Sequence, residues 1–247
     1  MKIVYFGTPE IASSQLEAII AAGYEVAAVV TVPDKPAGRG KKIQSSDVKL
    51  TALKYDLPVL QPVSLKSPEF IEELSSYNAD LFVVVAFRML PEVVWSMPPM
   101  GTFNLHASLL PQYRGAAPIN HAIINGEKET GLTTFLLGKE IDTGEIIMQE
   151  KVVIEDDETA GTLHDKLMVL GNKVVVETIK RIEEGKVQSQ SQDMIIERDN
   201  LQLKPAPKIF KEDCKIDWTK DAKSIYDFIR GLSPYPAAHT QFVSENN

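Results

Sequence analysis

The first sixty residues place two short apolar runs on either side of an amphipathic stretch. Residues 2–6 (KIVYF) and 25–31 (EVAAVVT) are apolar enough to be buried strands, and the apolar positions of residues 11–20 recur at helical spacing. Pro9 suits the first position of this helix, and Thr8 can cap it. A strand, a helix and a second strand in this order predict a βαβ unit and a parallel sheet with a right-handed crossover.

The rest of the chain continues the alternation of strands and helices. Residues 80–86 (DLFVVVA) are apolar on both faces, as expected of a central strand. The other predicted elements are helices at 47–55 and 67–77, strands at 101–105, 130–137 and 145–154, and a long helix that opens at Thr159 and ends at Gly185. We therefore expect an α/β fold with a mostly parallel sheet.

The C-terminal quarter of the chain differs in composition from the rest. We expect a catalytic domain at residues 1–189, a polar linker at 190–207 that finishes in KPAP, and a further unit at 208–247. About forty residues can hardly build a core alone. The last segment is therefore expected to be an incomplete domain or a docked tail.

Composition excludes several classes of protein. The net charge of −8 argues against indiscriminate binding to nucleic acid, although residues 31–50, which include a loop at 32–46, carry an excess of positive charge. The single cysteine, Cys214, excludes a disulfide framework, and no His or Cys spacing typical of a metal site occurs. The longest apolar run, residues 81–87, is too short to cross a bilayer, and the N-terminal residues do not resemble a signal peptide. We expect a cytoplasmic protein that binds neither a metal nor a membrane.

Candidate chemistry is concentrated in residues 101–144. Asn104 and His106 are two residues apart at the end of a predicted strand, so both side chains face the same way. Ligands of open α/β sheets bind at that edge, and Asp142 lies in a turn between two further strands. An amide, an imidazole and a carboxylate without a strong nucleophile suit acyl transfer to an amine that is itself a nucleophile.

Simpler interpretations of these residues remain open from the residue pattern alone. A histidine after a strand is often a packed or surface residue, and Asp142 before Thr-Gly is a common turn residue. Ser108 lies near His106, but it has none of the GxSxG context of a hydrolase nucleophile. His164, beside Leu163 in the long helix, is expected at the surface.

Two longer runs, FNLHASLLPQYRGAAPI and IDTGEII, resemble the folate-dependent formyltransferases over nearly the whole chain. The resemblance implies a Rossmann-like, doubly wound sheet that binds 10-formyltetrahydrofolate instead of a dinucleotide. It also implies that residues 208–247 begin an OB-like, tRNA-binding C-terminal barrel domain.

The same resemblance implies roles for individual residues. Asn104 would hydrogen-bond the formyl oxygen, neutral His106 would assist it and handle protons, and Asp142 would pair with His106 and relay a proton through water. Arg88 stands where many members carry glycine. The residues implied for the folate site are Ser108, Leu109, Leu110, Pro111, Phe87, Arg88, Met89, Leu90, Gly138 and Ile141.

The molecule that receives the formyl group remains to be predicted. The basic loop PDKPAGRGKK, the form RGAAPI and the C-terminal segment resemble the branch of the family that formylates initiator methionyl-tRNA, with Arg39, Lys41 and Lys42 contacting the tRNA. The alternatives are a sugar-nucleotide amine as acceptor, hydrolysis with water as acceptor, or a folate- or RNA-binding module without catalysis. We expect the protein to act as a monomer.

Overall fold

The computed structural model describes residues 1–37 and 42–241 of the chain. The strands are β1 Lys2–Gly7, β2 Glu25–Val30, β3 Lys35–Ala37, β4 Lys42–Gln44, β5 Val59–Leu60, β6 Leu81–Val85, β7 Thr102–His106, β8 Glu129–Leu136 and β9 Ile146–Val153. The α-helices are α1 Glu10–Ala21, α2 Asp47–Lys54, α3 Pro68–Ser76, α4 Glu92–Trp95, α5 Pro118–Ile124, α6 Ala160–Glu183, α7 Gln192–Asp199 and α8 Ala222–Gly231.

Among the described residues, the main sheet has seven strands in the order β5-β2-β1-β6-β7-β8-β9. The first five strands in this order, β5, β2, β1, β6 and β7, pair in parallel. Strand β8 pairs antiparallel with both β7 and β9. The predicted mostly parallel, Rossmann-like α/β fold is confirmed. Strands β1 and β6 lie near the centre and are covered on two faces, so every residue of them except Lys2 is buried.

The two faces of the sheet carry separate cores because strand side chains alternate. Ile3 and Tyr5 of β1 pack on the side that α1 and α6 cover, whereas Val4 and Phe6 pack with residues of α3 and α4. On this second side, the Phe6 ring lies 5.2 Å from that of Phe82. Burying one such aromatic side chain is worth about 1.5–3 kcal/mol, so the two layers hold the sheet rigidly.

Helix starts follow local capping rules, with one difference from expectation. The Thr159 side chain accepts the Thr162 backbone N–H at the start of α6, which makes a capping box. At the start of α1, however, Pro9 itself is the N-cap residue with extended backbone, and no side chain caps the helix. The predicted cap by Thr8 is therefore wrong, because the helix begins one residue later than the proline rule places it.

The polar segment 190–207 is not an extended linker. It contains α7, and its end runs beside the turn that follows β7: the Ala206 N–H donates to the Arg114 carbonyl oxygen at 2.8 Å. Gly115 makes this approach possible, because a Cβ there would lie 2.3 Å from the Ala206 carbonyl oxygen. The segment therefore packs against the loops at the carboxyl ends of the strands.

Within the basic loop, β3 and β4 pair as antiparallel strands, and we call this pair the β3–β4 hairpin; a polar cluster fixes its base. Lys49 Nζ donates to Asp34 Oδ2 at 2.6 Å and to Gln61 Oε1 at 2.9 Å, and Gln61 in turn donates to Asp34 Oδ1. Hydrogen bonds from Lys49 and Gln61 lower the pKa of Asp34. Of the predicted tRNA-binding residues, Lys42 belongs to β4. Arg39 and Lys41 lie outside the described residues.

Helix α8 docks the C-terminal segment on the α/β domain. Buried Arg230 pairs with Asp227 at 2.8 Å and donates to the carbonyl oxygens of Glu155 and Glu158, in the loop between β9 and α6. Burial would raise the pKa of Asp227, but hydrogen bonds from Lys223 and Arg230 outweigh it and lower that pKa. No helix of the described residues is long and apolar enough to cross a membrane.

We predict that Arg230→Ala lowers the free energy of unfolding by about 1–3 kcal/mol, because two buried carbonyl groups lose their donor and Asp227 keeps only its pair with Lys223. Arg198→Ala is the matched control. Arg198 pairs with Asp199 at the surface, and such pairs contribute only about 0–1 kcal/mol. Urea titration followed by circular dichroism measures both values. Equal losses in the two variants would contradict the proposed anchoring of α8.

Candidate active site

A cavity of about 620 Å³ lies at the carboxyl edge of the sheet, where β6 and β7 end. The segment after β6 (residues 86–90) and the loop between β8 and β9 (residues 137–142) line it with both apolar and charged residues. Residues 115–120, the start of α1 and His164 of α6 also line it. The cavity therefore extends across the sheet edge, in the position typical of ligand sites in open α/β sheets.

Asn104 and His106 both line this cavity from β7. The register with β8 places Asn104 opposite Phe135 and His106 opposite Thr133, while Phe103 and Leu105 point into the core on the α1 side. Within the described ranges, the Asn104 side-chain amide has no hydrogen-bond partner in the protein. Its donor is therefore free for a group bound in the cavity.

The hydrogen bonds of His106 define its tautomer. Its Nε2 lies 2.8 Å from the Tyr113 carbonyl oxygen, which can only accept, so Nε2 carries the proton of the neutral ring. Its Nδ1 lies 3.8 Å from Asp142 Oδ2, and the imidazole is 7% exposed against 12% for the carboxylate. The neutral ring therefore presents its unprotonated nitrogen on the side of Asp142.

Asp142 is held in a tight turn. Its φ of 55° is left-handed, a conformation that aspartate tolerates better than most residues. Its Oδ2 accepts the Gly115 N–H at 2.9 Å, and its carbonyl oxygen accepts from Gln192 Nε2 at 2.9 Å. The carboxylate that faces His106 is therefore fixed from two sides.

Tyr113, whose carbonyl orients His106, is itself locked in place. Its φ is 61°, its phenol donates to Glu127, and Lys204 also donates to that carboxylate. Burial raises the pKa of Tyr113, and the hydrogen bond to Glu127 raises it further. The phenol stays protonated at neutral pH and acts as a donor to Glu127.

The residues expected for the folate site divide into two groups. Phe87, Arg88, Met89, Leu90, Gly138 and Ile141 all line the cavity. The Arg88 guanidinium donates to the carbonyl oxygens of Pro62 and Val63 and lies 5.6 Å from the centre of the Phe87 ring. Burial lowers the pKa of Arg88. Its long side chain is therefore engaged by the backbone beyond β5.

The second group, Ser108, Leu109, Leu110 and Pro111, does not line the cavity. Buried Ser108 donates to the Gln112 carbonyl oxygen at 2.7 Å, and Thr133 of β8 bridges the Ser108 carbonyl and the Leu110 N–H. The folate-site role of these four residues stays a prediction. They anchor the loop to β8, since its polar backbone groups need partners in the interior.

Three further residues at the site were not among the site residues expected from the sequence. Gln192 of α7 bonds the Asp142 loop, Arg114 bonds Gln192, and His164 lines the cavity although its sequence context suggested a surface position. Arg114 lies in the run FNLHASLLPQYRGAAPI, whereas Gln192 and His164 lie in no such run. Within residues 1–37 and 42–241, no cluster of three or more His, Cys, Asp or Glu side chains could hold a metal ion.

Comparison with known protein families assigns the chain to a class of enzyme. The family described as formyl transferase matches residues 1–179, and its C-terminal domain matches residues 208–247. The fold and the two matches define an enzyme of the formyltransferase class.

Curated relatives narrow the class. Methionyl-tRNA formyltransferase of Bacteroides fragilis is 59% identical over 244 residues, covering 99% of this chain and 75% of the relative. That of Parabacteroides distasonis is 56% identical over 247 residues, covering 100% of this chain and 76% of the relative. At this similarity the chain belongs to the methionyl-tRNA formyltransferase family, and it spans about three quarters of those relatives.

Solved structures share the fold at low identity. The sugar 3N-formyl transferase WlaRD, crystallised with dTDP and 5-N-formyl-THF, has a TM-score of 0.68 and 21% identity, covering 94% of this chain and 79% of that chain. Phosphoribosylglycinamide formyltransferase of Bacillus halodurans has a TM-score of 0.63 and 24% identity, covering 74% of this chain and 95% of that chain. These likenesses concern the fold.

Two glycines of the loop between β8 and β9 offer a test of its packing. A Cβ on Gly144 would lie 1.6 Å from the Leu136 carbonyl oxygen, whereas a Cβ on Gly138 would have nothing within 4 Å. We predict that Gly144→Ala lowers the free energy of unfolding by about 1–3 kcal/mol, as overpacking does, and that Gly138→Ala changes it little. Urea titration of both variants measures the difference. A Gly144→Ala protein as stable as Gly138→Ala would contradict the described loop conformation.

Proposed function

We propose that this formyltransferase moves a formyl group from 10-formyltetrahydrofolate to the α-amino group of initiator methionyl-tRNA, giving N-formylmethionyl-tRNA and tetrahydrofolate. The observation that carries the proposal is the juxtaposition of Asn104, His106 and Asp142 in one cavity of a chain with these relatives. We further propose that it acts as a monomer in the cytoplasm, where charged tRNA is used.

The cavity suits a folate in its chemistry. Apolar residues form part of its lining, with Phe87, Leu90 and Ile141 available to cover a flat heterocycle, and the backbone of residues 138–142 supplies polar groups. Asn104 offers an amide without a protein partner beside these walls. When bound there, the folate would supply the activated formyl group, and these residues would hold it.

Asn104 stabilises the charge that develops on the formyl oxygen. Its amide is rigidly placed because β7 pairs on both sides, with β6 and with β8. A donor preorganised in this way is worth about 2.7–4 kcal/mol in the transition state. Neutral His106 cannot share this task from its Nδ1, because its proton lies on Nε2, on the Tyr113 side.

His106 handles the proton that the acceptor amine must lose. Nδ1 accepts the proton as the amine nitrogen bonds to the formyl carbon, and the Asp142 carboxylate then faces an imidazolium. The same Nδ1 returns the proton to the departing folate nitrogen as its bond to the formyl carbon breaks. The proton count therefore closes without a covalent link between enzyme and substrate.

The β3–β4 hairpin is the proposed tRNA contact, through Arg39, Lys41 and Lys42. Its charge excess stands out in an acidic chain, and phosphate neutralisation is the usual source of affinity for nucleic acid. The bonds among Asp34, Lys49 and Gln61 hold the base of the hairpin against α2 and the residue that follows β5.

The oxyanion role is tested by Asn104→Ala. We predict a fall in kcat for formylation of initiator methionyl-tRNA of about 10²–10³-fold, because one preorganised donor is lost. Asn172→Ala is the control: its amide oxygen accepts from Ser14, between α6 and α1, and its kcat should stay near that of the wild type. An Asn104→Ala enzyme that keeps more than about a tenth of the wild-type kcat would refute the role.

The acceptor is tested through the hairpin charges. We predict that replacing Arg39, Lys41 and Lys42 together by Gln raises KM for methionyl-tRNA about tenfold or more and flattens its salt dependence, because phosphate contacts are lost. KM for the folate should not change. Replacing exposed Lys66, Lys173 and Lys180 by Gln removes the same charge elsewhere. Equal KM values in the two triple variants, or wild-type activity only on a sugar-nucleotide amine, would contradict the proposed acceptor.

A further inference from the structure

We infer that Gln192 is a positioning residue that holds Asp142 against His106. This inference rests on the proposed function, because it concerns the carboxylate of that same site. Gln192 opens α7, in a segment whose polar sequence suggested a linker, and it is only 1% exposed. A long amide side chain buried to this degree needs partners for all its polar atoms.

Both ends of the Gln192 side chain are fully used. Nε2 donates to the Asp142 carbonyl oxygen at 2.9 Å and to the Gly144 carbonyl oxygen at 2.8 Å. Oε1 accepts from Arg114 Nε at 3.0 Å and from Arg114 Nη2 at 2.7 Å. The amide therefore joins the loop between β8 and β9 to the turn after β7.

The hydrogen bonds of Gln192 lie beside the contact between Asp142 and Gly115 that fixes the catalytic carboxylate. Asp142 Oδ2 accepts the N–H of Gly115, which follows Arg114 directly. Gln192 binds the Asp142 backbone with its amide nitrogen and Arg114, the neighbour of Gly115, with its amide oxygen. It therefore connects the two segments that the bond between Asp142 and Gly115 also joins. Asp142 has left-handed backbone, so its carbonyl has no helix or strand partner and depends on the glutamine.

Position 192 requires the hydrogen-bonding groups of an amide rather than a side chain of a particular size. Most residues of α7 are exposed, and Gln192 is its one buried residue, so the helix has no large apolar face to dock. Glutamate in this position could still accept from Arg114 through one oxygen, but its other oxygen would replace the Nε2 donor and face the carbonyl oxygens of Asp142 and Gly144. Gln192→Glu thus releases the Asp142 loop selectively.

The experiment measures formylation of initiator methionyl-tRNA by Gln192→Glu, with Gln190→Glu as the control. Gln190 is exposed and only two residues away, so both variants add the same charge to the same segment. We expect kcat of Gln192→Glu to fall at least tenfold while KM for folate and for tRNA changes less than threefold, because misplacement of a reacting group acts on the chemical step. The Gln190→Glu enzyme should resemble the wild type.

The pH profile separates positioning from a loss of folded protein. Displacement of Asp142 from His106 changes the shape of the profile of kcat/KM, whereas partial unfolding scales the profile without altering its shape. A Gln192→Glu enzyme with the kcat and profile of Gln190→Glu would overturn the inference. So would a loss of activity that leaves the profile shape intact.

A second variant serves if Gln192→Glu does not fold. Arg114→Met removes both donors to the glutamine oxygen but leaves the bonds to Asp142 and Gly144, and Arg114 is partly exposed. We expect at least a threefold fall in kcat with an altered profile, and an unchanged kcat and profile would overturn the inference. If the wild type formylates another amine but not methionyl-tRNA, the proposed function fails, and the Gln192 comparison is made on that amine.

Discussion

The contact between the His106 imidazole and the Asp142 carboxylate is the constraint that the rest of the structure serves. The two groups come from elements far apart in the chain, and their nitrogen and oxygen lie 3.8 Å apart in a nearly buried setting. The end of β7 fixes the position of His106, and a left-handed turn fixes the position of Asp142. Each partner is oriented by backbone: the Tyr113 carbonyl for the ring and the Gly115 N–H for the carboxylate.

The sheet provides the rigid half of this arrangement. Strand β7 pairs with β6 and β8 and is covered by an apolar core, so Asn104 and His106 cannot move independently. Loops position the remaining groups of the site. The turn after β7 and the loop between β8 and β9 carry few apolar anchors, and they are joined instead by hydrogen bonds through Arg114 and Gln192.

The segment after the α/β domain consequently contributes to the site as well as connecting domains. Its polar residues hold the turns at the carboxyl edge, and Lys204 reaches the Glu127 carboxylate that positions the Tyr113 phenol. Helix α8 then docks through a buried pair of Asp227 and Arg230. Acidic charge dominates the chain as a whole, and the basic hairpin is a local exception whose base is held by Asp34 and Gln61.

Much of this protein follows from local sequence alone. Apolar runs and helical spacing are local properties, so the pattern predicted β1, α1, β6 and α6 and the parallel sheet, and the pair Asn104 and His106 follows from the two-residue period of β7. Packing of distant segments decided the rest: that Thr133 anchors the loop of Ser108 and Leu110, that His164 lines the cavity, and that Gln192 is buried. A polar side chain in a polar segment has no pattern that marks it as buried, because its partners are carbonyl groups and a guanidinium that only the folded chain brings within reach.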